Sequence, residues 1–173
     1  NASLPSGVSF GTNNGTIYGT PTELWTQTSY MVWANNSGGS TVAYLNITVV
    51  DEVPTLSYSP ENLTLTKGQA SSDLPLNATL TGPGTITSWE INATLPSGLN
   101  FGTSNGTIWG IPTVLQTTAT TYTIWANNSG GSTSATVNIT INDVAPGTFE
   151  YNPENNTFTN NTAASISPTV NNS

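Results

Sequence analysis

Apolar and polar residues alternate with a period of two along much of the chain. This period is typical of β-strands that bury one face. No segment sustains the 3.6-residue period of an amphipathic helix, so the pattern predicts an all-β chain. Four segments show the alternation best, and the residues predicted to face inward in them are Leu74, Leu76, Ala78 and Leu80; Trp89, Ile91, Ala93 and Leu95; Tyr122, Ile124 and Ala126; and Ala135, Val137, Ile139 and Ile141.

Turn residues divide these segments. Asn128–Gly131 (NSGG) predicts a tight hairpin between the last two strands, and the Asn14-Gly15 and Asn105-Gly106 pairs predict further turns. Trp89 is predicted inward on a strand in the middle of its domain, where an immunoglobulin-like sandwich places its core Trp. The spacing predicts about seven short strands per domain, which is also typical of that sandwich.

The chain repeats itself with a period of about 92 residues. Residues 1–22 (NASLPSGVSFGTNNGTIYGTPT) match residues 92–113 (NATLPSGLNFGTSNGTIWGIPT). Residues 30–48 likewise match residues 122–140, including the sequence WANNSGGST in both copies. The chain is therefore predicted to be a tandem array of immunoglobulin-like β-sandwich repeats rather than one domain of its full length.

The repeats do not begin and end with the chain. Residues 1–52 correspond to the back part of a repeat, 53–143 to a complete repeat, and 144–173 to the front part of the next. Residues 144–173 are expected to be too short to fold alone, because fragments of this size rarely bury enough apolar surface. Residues 1–52 are expected to be incomplete because they lack the first strands of a sandwich, which leaves an apolar face and strand edges open. Either a continuous tandem array or head-to-tail strand complementation between copies would complete them.

The repeated words resemble a known family. Leu4–Phe10 (LPSGVSF), Asn14–Pro21 (NGTIYGTP) and Asn36–Gly39 (NSGG) are similar to the immunoglobulin-like, cadherin-like repeat of bacterial and archaeal surface proteins, and the second copy carries the same words. The resemblance implies a tandem β-sandwich in a secreted or surface protein, commonly a stalk or adhesin, with no catalytic residues. Members often carry Asp after the motif Phe, where this chain has Gly11 and Gly102.

The composition of the chain excludes several classes of function. The chain of 173 residues has one Lys or Arg against nine acids, giving a net charge of −8, and it has no His and no Cys. Without imidazole or thiolate it has neither the usual general base nor His or Cys metal ligands. One cation cannot neutralise a run of phosphates, so no nucleic-acid partner is expected. Glu90 lacks a nearby carboxylate partner for glycoside hydrolysis, and the chain is predicted not to be an enzyme.

Glycosylation sequons are about twice as frequent as the Asn, Ser and Thr content would give by chance. Twelve of the 13 fall at six equivalent positions of the two copies, and Asn160 is unmatched. We expect covalent N-linked glycans to supply the hydration that so few charges cannot. The predicted sites are Asn1, Asn14, Asn35, Asn46, Asn62, Asn77, Asn92, Asn105, Asn127, Asn138, Asn155, Asn160 and Asn171.

Two further sets of side chains are candidate contacts. Trp33 and Trp125 are predicted to face outward, either as isolated exposed aromatics or packed against a glycan or a neighbouring domain. Val53-Pro54 and Ala145-Pro146 follow the last strand of each copy and are predicted to be short joints between repeats. Asp51, Glu52 and Asp143 lie next to them and are candidate calcium ligands. Their oxygens fall short of the six to eight that Ca²⁺ takes, so no metal and no other cofactor is expected.

These features predict a structural protein of an extracellular filament or cell-surface stalk, N-glycosylated, with copies of itself as partners. The alternative is an adhesin-type module that recognises a surface ligand through its loops. The longest apolar runs are far shorter than a membrane-spanning helix, so this segment is not expected to insert into a membrane.

Overall fold

The computed structural model describes residues 3–152 and 154–170. Within those residues every regular element is a β-strand and no helix occurs, so the predicted all-β class is confirmed. In chain order the strands are β1 (Val8–Phe10), β2 (Ile17–Gly19), β3 (Trp25–Asn36), β4 (Gly39–Val49), β5 (Thr55–Tyr58), β6 (Asn62–Thr66), β7 (Ala78–Thr81), β8 (Ser88–Ile91), β9 (Leu99–Phe101), β10 (Ile108–Gly110), β11 (Gln116–Asn128), β12 (Gly131–Asn142), β13 (Phe149–Glu150) and β14 (Thr169–Val170).

The middle of the chain contains a four-stranded sheet with the strand order β6-β12-β11-β8. Strands β11 and β12 form a long antiparallel hairpin in which Asn128 lies opposite Gly131, as the turn sequence predicts. Strand β8 pairs antiparallel with β11, and β6 pairs parallel with β12. The predicted alternation in the hairpin is confirmed by six fully buried side chains, those of Tyr122, Ile124, Ala126, Val137, Ile139 and Ile141.

A second layer packs over this sheet. It consists of the β5–β7 and β9–β10 pairs, and an antiparallel bridge between Leu76 and Ile108 contributes two backbone hydrogen bonds of 2.9 Å. Both layers contribute side chains to one hydrophobic cluster, so this part of the chain is a β-sandwich. The buried residues from the second layer and its loops are Leu56, Tyr58, Leu76, Leu95, Leu99 and Ile108.

Trp89 belongs to the buried cluster, as predicted, and its ring packs against the turn at Asn105-Gly106. Gly106 has a φ of +70°, and a Cβ atom there would overlap the Trp89 ring. The Tyr58 hydroxyl donates a hydrogen bond of 2.6 Å to the Gly106 carbonyl oxygen from within the core. The Asn105-Gly106 pair is therefore a turn whose glycine is required both by its backbone conformation and by aromatic packing.

The strand predicted at Leu74–Leu80 is wrong in its bounds. Strand β7 begins only at Ala78, because Pro75 has no N–H to donate to a ladder. Leu76 is buried through its bridge to Ile108, as the pattern predicted. Leu80 keeps 38% of its surface exposed although it was predicted inward.

The strand predicted at Thr87–Leu95 is also too long. Strand β8 ends at Ile91, since the Asn92 side-chain oxygen accepts the Thr123 backbone N–H at 3.0 Å and replaces the next ladder contact. Ala93 is exposed rather than inward. Leu95 is buried, but in the loop that leads to β9.

The first copy forms two separate hairpins, β1–β2 and β3–β4. The β3–β4 hairpin turns at Asn36–Gly39 and has the same register as β11–β12 near the turn; both hairpins also have a register irregularity near the start of their first strand. Within the described residues, β3 and β4 pair only with each other, whereas β11 and β12 each have an outer neighbour. Near the other end of the chain, β13 and β14 form a short antiparallel pair.

Candidate functional site: uncovered faces, sequons and a joint

The inward side of the first copy is only partly covered. We call this surface the open face, and it lines a cavity of about 460 Å³. Its residues are half-buried or exposed except for Tyr30, whereas their counterparts in the complete repeat are mostly fully buried. The open face consists of Leu4, Phe10, Ile17, Tyr30 and Val32, and the respective counterparts are Leu95, Phe101, Ile108, Tyr122 and Ile124.

In residues 144–170, side chains that correspond to the other layer of the core are exposed. Phe149, Tyr151 and Phe158 are exposed, although they align with Leu56, Tyr58 and Leu65, which are core residues of the complete repeat. The Phe149 and Tyr151 rings contact each other edge to face, with centroids 5.6 Å apart. We call these three exposed side chains the aromatic patch. Isolated exposed apolar side chains are normal, but these three correspond to core positions of the repeat.

The turn glycines show what is absent from the open face. A Cβ atom on Gly15 would have nothing within 4 Å, whereas one on the equivalent Gly106 would overlap the Trp89 ring. Tyr151 is the repeat counterpart of Tyr58, whose hydroxyl binds the Gly106 carbonyl oxygen. Within the described residues, no ring corresponding to Trp89 therefore covers Gly15.

Eleven of the predicted sequons fall within the described residues, whereas Asn1 and Asn171 lie outside them. Nine of the eleven Asn side chains are exposed, so a sugar on them would meet no packed layer. Six of the nine accept a hydrogen bond through Oδ1 only, which leaves the Nδ2 atom that carries a glycan without a bond in the described chain; these are Asn14, Asn46, Asn62, Asn77, Asn92 and Asn105.

Asn127 and Asn138 differ from the other sequons. Both are half-buried, and both use Nδ2 as a donor. Asn127 Nδ2 donates to Glu90 Oε1 at 2.8 Å and to Ser88 Oγ at 3.2 Å. Asn138 Nδ2 donates to Asn62 Oδ1 at 2.9 Å. A glycan replaces one of the two Nδ2 hydrogens. At Asn127, which donates twice, it would remove one contact to β8, and at Asn138 it would have to fit beside Asn62 of β6. The sequon pattern does not reveal this difference from the other sites.

The two candidate aromatics lie in different surroundings. Trp33 is 52% exposed on β3, where its cross-strand partner is Val42. Trp125 is half-buried between Ser134 and Glu90 of its neighbouring strands. Trp33 faces outward as predicted, and the prediction for Trp125 is right only in part because β8 shields one side of it.

The candidate calcium ligands do not form a cation site. Among residues 3–152 and 154–170, no cluster of three or more acidic side chains could hold a metal ion, so Asp51, Glu52 and Asp143 are not brought together. Glu90, the candidate acid, accepts a hydrogen bond from Asn127. Burial raises the pKa of Tyr58, and the Ser6 backbone N–H lowers the pKa of the exposed Glu23 carboxyl. Neither shift creates a general acid or base near neutral pH.

Asp51 instead belongs to a joint between the two copies. Its backbone N–H donates to Ser129 Oγ at 2.9 Å, and Ser129 Oγ donates in turn to Asp51 Oδ2 at 3.1 Å. The Asn128 side chain donates to the Glu52 carbonyl oxygen at 2.8 Å. The sequence predicts the Asn128–Gly131 turn but not this contact, because the two partners are 78 residues apart.

The fold and these surfaces define an immunoglobulin-like β-sandwich repeat protein. The chain belongs to the family described as "Putative Ig domain", whose sequence model matches residues 1–50 and 53–142. This confirms the resemblance seen in the repeated words.

Named relatives are bacterial surface proteins. The "Serine-rich adhesin for platelets" of Staphylococcus aureus strain MRSA252 is 28% identical over 172 residues, covering 94% of this chain and 11% of the relative. The protein of the same name in strain MSSA476 is also 28% identical, and 6% of its length is covered. The chain therefore spans about a tenth or less of these relatives. The family and the relatives assign the chain to the outside of the cell or its surface. The relatives are named as adhesins rather than enzymes.

Two solved structures are similar to this chain over most of its length, at low TM-scores. Extracellular domains 3–5 of Drosophila OTK give a TM-score of 0.43 at 23% identity, covering 82% of this chain and 48% of that one. Mouse cadherin-23 EC22–24 gives 0.38 at 10% identity, with 80% and 50% covered. In the described part of this chain, no helix is long and apolar enough to cross a membrane.

Proposed function

We propose that this chain is a structural, N-glycosylated repeat protein of an extracellular filament or surface stalk, in which copies of the repeat complete one another. Residues 1–52 and 144–173 would be partial repeats on either side of the complete repeat at 53–143. The observation that supports this most directly is the match between the open face and the aromatic patch. Both are uncovered, and their counterparts bury each other in the complete repeat.

Two interactions would stabilise a partial repeat completed by another copy: the burial of apolar surface and the pairing of strands. Each aromatic side chain moved from water into a core contributes about 1.5–3 kcal/mol. The free edges of β3 and β4 offer backbone groups to new strands, as in other cases of strand addition. A contact between the front of one copy and the back of another is heterologous, so it propagates into an open array rather than closing as a dimer.

Electron microscopy tests this assembly. We expect the purified chain to form fibres with an axial repeat of about one domain as its concentration rises. Phe149→Ser should shorten or abolish the fibres, because it removes a side chain of the aromatic patch. Tyr44→Ser is the matched control, since Tyr44 is exposed on the outward side of β4 and its loss should leave the fibres unchanged. Dispersed monomers at every concentration would contradict the proposal.

Glycan occupancy gives a second prediction. If glycans supply the hydration of this weakly charged surface, we expect them at exposed sequons with an unbonded Nδ2, such as Asn46, Asn77 and Asn92. Occupancy should be lowest at Asn127, where both Nδ2 hydrogens are bonded and a glycan replaces one of them, and low at Asn138, which is half-buried beside Asn62. Glycopeptide mass spectrometry of the native protein measures each site. An intact mass near 18.0 kDa, the mass of the bare chain, would refute glycosylation altogether.

An adhesin-type binding module is the second candidate, and the names of the relatives favour it. Under this alternative the exposed loops at Asn14 and Asn105 would contact a surface ligand. Both loops carry sequons and are almost identical in sequence, which suits a repeated structural surface better than a specific recognition site. Sugar-free loops in the glycopeptide map would shift the balance towards adhesion.

A further inference from the structure

We propose that the Asn36–Gly39 turn is a docking site for the linker Asp143–Pro146 of a second copy of this chain. The inference rests on the proposed assembly and names a contact that would fix the angle between successive repeats. It comes from the Asn128–Gly131 turn, which has the same sequence and already holds the linker that precedes the complete repeat.

Two side chains of the Asn128–Gly131 turn bind the linker through three hydrogen bonds. Ser129 Oγ accepts from the Asp51 backbone N–H and donates to the Asp51 carboxylate, and Asn128 Nδ2 donates to the Glu52 carbonyl oxygen. The Asn128 side-chain oxygen accepts from Gly130 N at 2.9 Å, which orients the amide towards the linker. The contact needs an Asp carboxylate and the linker backbone, but no cation.

The glycines of this turn fit the linker closely. Gly130 does not have a positive φ, yet a Cβ atom on it would overlap the Asp51 carbonyl oxygen. A Cβ atom on Gly131 would lie 3.1 Å from Val53 Cγ2. Gly130 is therefore explained by the close approach of the linker, and the hairpin conformation alone does not require it.

The Asn36–Gly39 turn has the same internal geometry without such a neighbour. Gly38 N donates to Asn36 Oδ1 at 2.8 Å, just as Gly130 N does to Asn128. A Cβ atom on Gly38 would come near Asn36 Oδ1 alone, at 3.2 Å, and one on Gly39 would meet nothing within 4 Å. Across the described residues, no hydrogen bond engages Ser37 or Asn36 Nδ2. Gly38 thus keeps a feature that serves linker docking in the other copy but serves no contact in its own.

The linker of a second copy fits this turn. Asp143–Pro146 (DVAP) is the repeat counterpart of Asp51–Pro54 (DEVP), and Asp is retained at the position that contacts the serine. Val144 replaces Glu52, but at that position the turn hydrogen-bonds only to the backbone carbonyl oxygen, so the change leaves the contact intact. Docking of this linker would also place the aromatic patch of the second copy next to the open face of the first.

Disulfide trapping tests the contact, because the chain has no cysteine of its own. A chain carrying S37C is mixed with one carrying D143C under oxidised glutathione, and peptide mass spectrometry identifies the linked positions. We expect the 37–143 disulfide to exceed either symmetric disulfide by about tenfold, the ratio given by a preference of ~1.4 kcal/mol. The single-chain variant D51C/S129C is the positive control, since it joins the equivalent positions of the observed joint.

Gly38→Ala separates docking from folding. In the isolated chain its extra methyl group meets only Asn36 Oδ1, at 3.2 Å, and a small shift of that side chain accommodates it. The methyl group would overlap the docked linker, so adding it to the S37C chain should reduce the 37–143 disulfide to background. Failure of that disulfide to form while D51C/S129C oxidises fully would overturn the proposal, as would an unchanged yield with Gly38→Ala. Fibres without the disulfide would leave the assembly standing and refute the joint. The disulfide without fibres would support the joint and refute the filament.

Discussion

Replacing Trp89 with Ala is expected to lower the free energy of unfolding of the complete repeat by about 3–5 kcal/mol. The ring is buried between the two layers and covers Gly106, whose carbonyl oxygen accepts the Tyr58 hydroxyl. Its loss leaves a cavity that Gly106 cannot fill, and it opens that hydrogen bond to water. In a domain of this size the change corresponds to a fall in melting temperature of at least about 12 °C. Calorimetry or circular dichroism measures it.

Trp109→Ala is the matched control. Trp109 is in the same repeat on β10, but 42% of its surface is exposed. Its replacement should cost no more than about 1 kcal/mol, as for other substitutions at the surface. Equal losses for the two variants would mean that Trp89 is not the centre of the core.

Leu65→Ala and Phe158→Ala change the same repeat position in two environments. Leu65 is 1% exposed in β6, whereas Phe158, its counterpart, is 58% exposed. We expect Leu65→Ala to destabilise the complete repeat by about 2–5 kcal/mol. Phe158→Ala should leave the stability of the monomer almost unchanged, because the ring already lies in water. Chemical denaturation of each variant at low concentration measures the difference.

Assembly should reverse this contrast. If the Phe158 ring enters the core of another copy, its removal costs about 3 kcal/mol there, or about a hundredfold in the association constant. Sedimentation velocity over a range of concentrations measures that constant. An association constant unaffected by Phe158→Ala would show that the aromatic patch does not take part in completing the repeat.

The strands that follow from sequence are those whose periodicity is uninterrupted. The β11–β12 hairpin alternates without proline and closes on a strong turn, so its buried face is predicted residue by residue. The strands predicted at Leu74–Leu80 and Thr87–Leu95 are wrong at their ends, because periodicity does not show where a strand stops pairing. Pro75 cannot donate to a ladder, and the Asn92 side chain takes over a backbone contact.

The candidate sites likewise include local features that the sequence predicts and contacts between distant residues that it does not. The sequons are local patterns and can be read directly, but which Nδ2 atoms are already engaged depends on neighbouring strands, as for Asn127 beside Glu90. The joint at Asp51 and Ser129 joins residues far apart in sequence. No local rule points to it.

The parallel pairing of β6 with β12 has a mechanical consequence. Strand β6 lies near the start of the complete repeat and β12 at its end, and five residue pairs from Asn138–Asn62 to Asn142–Thr66 hold them side by side. Tension applied along a string of repeats pulls these strands in opposite directions along their length. The load is then shared across the whole ladder in shear, instead of breaking one hydrogen bond after another.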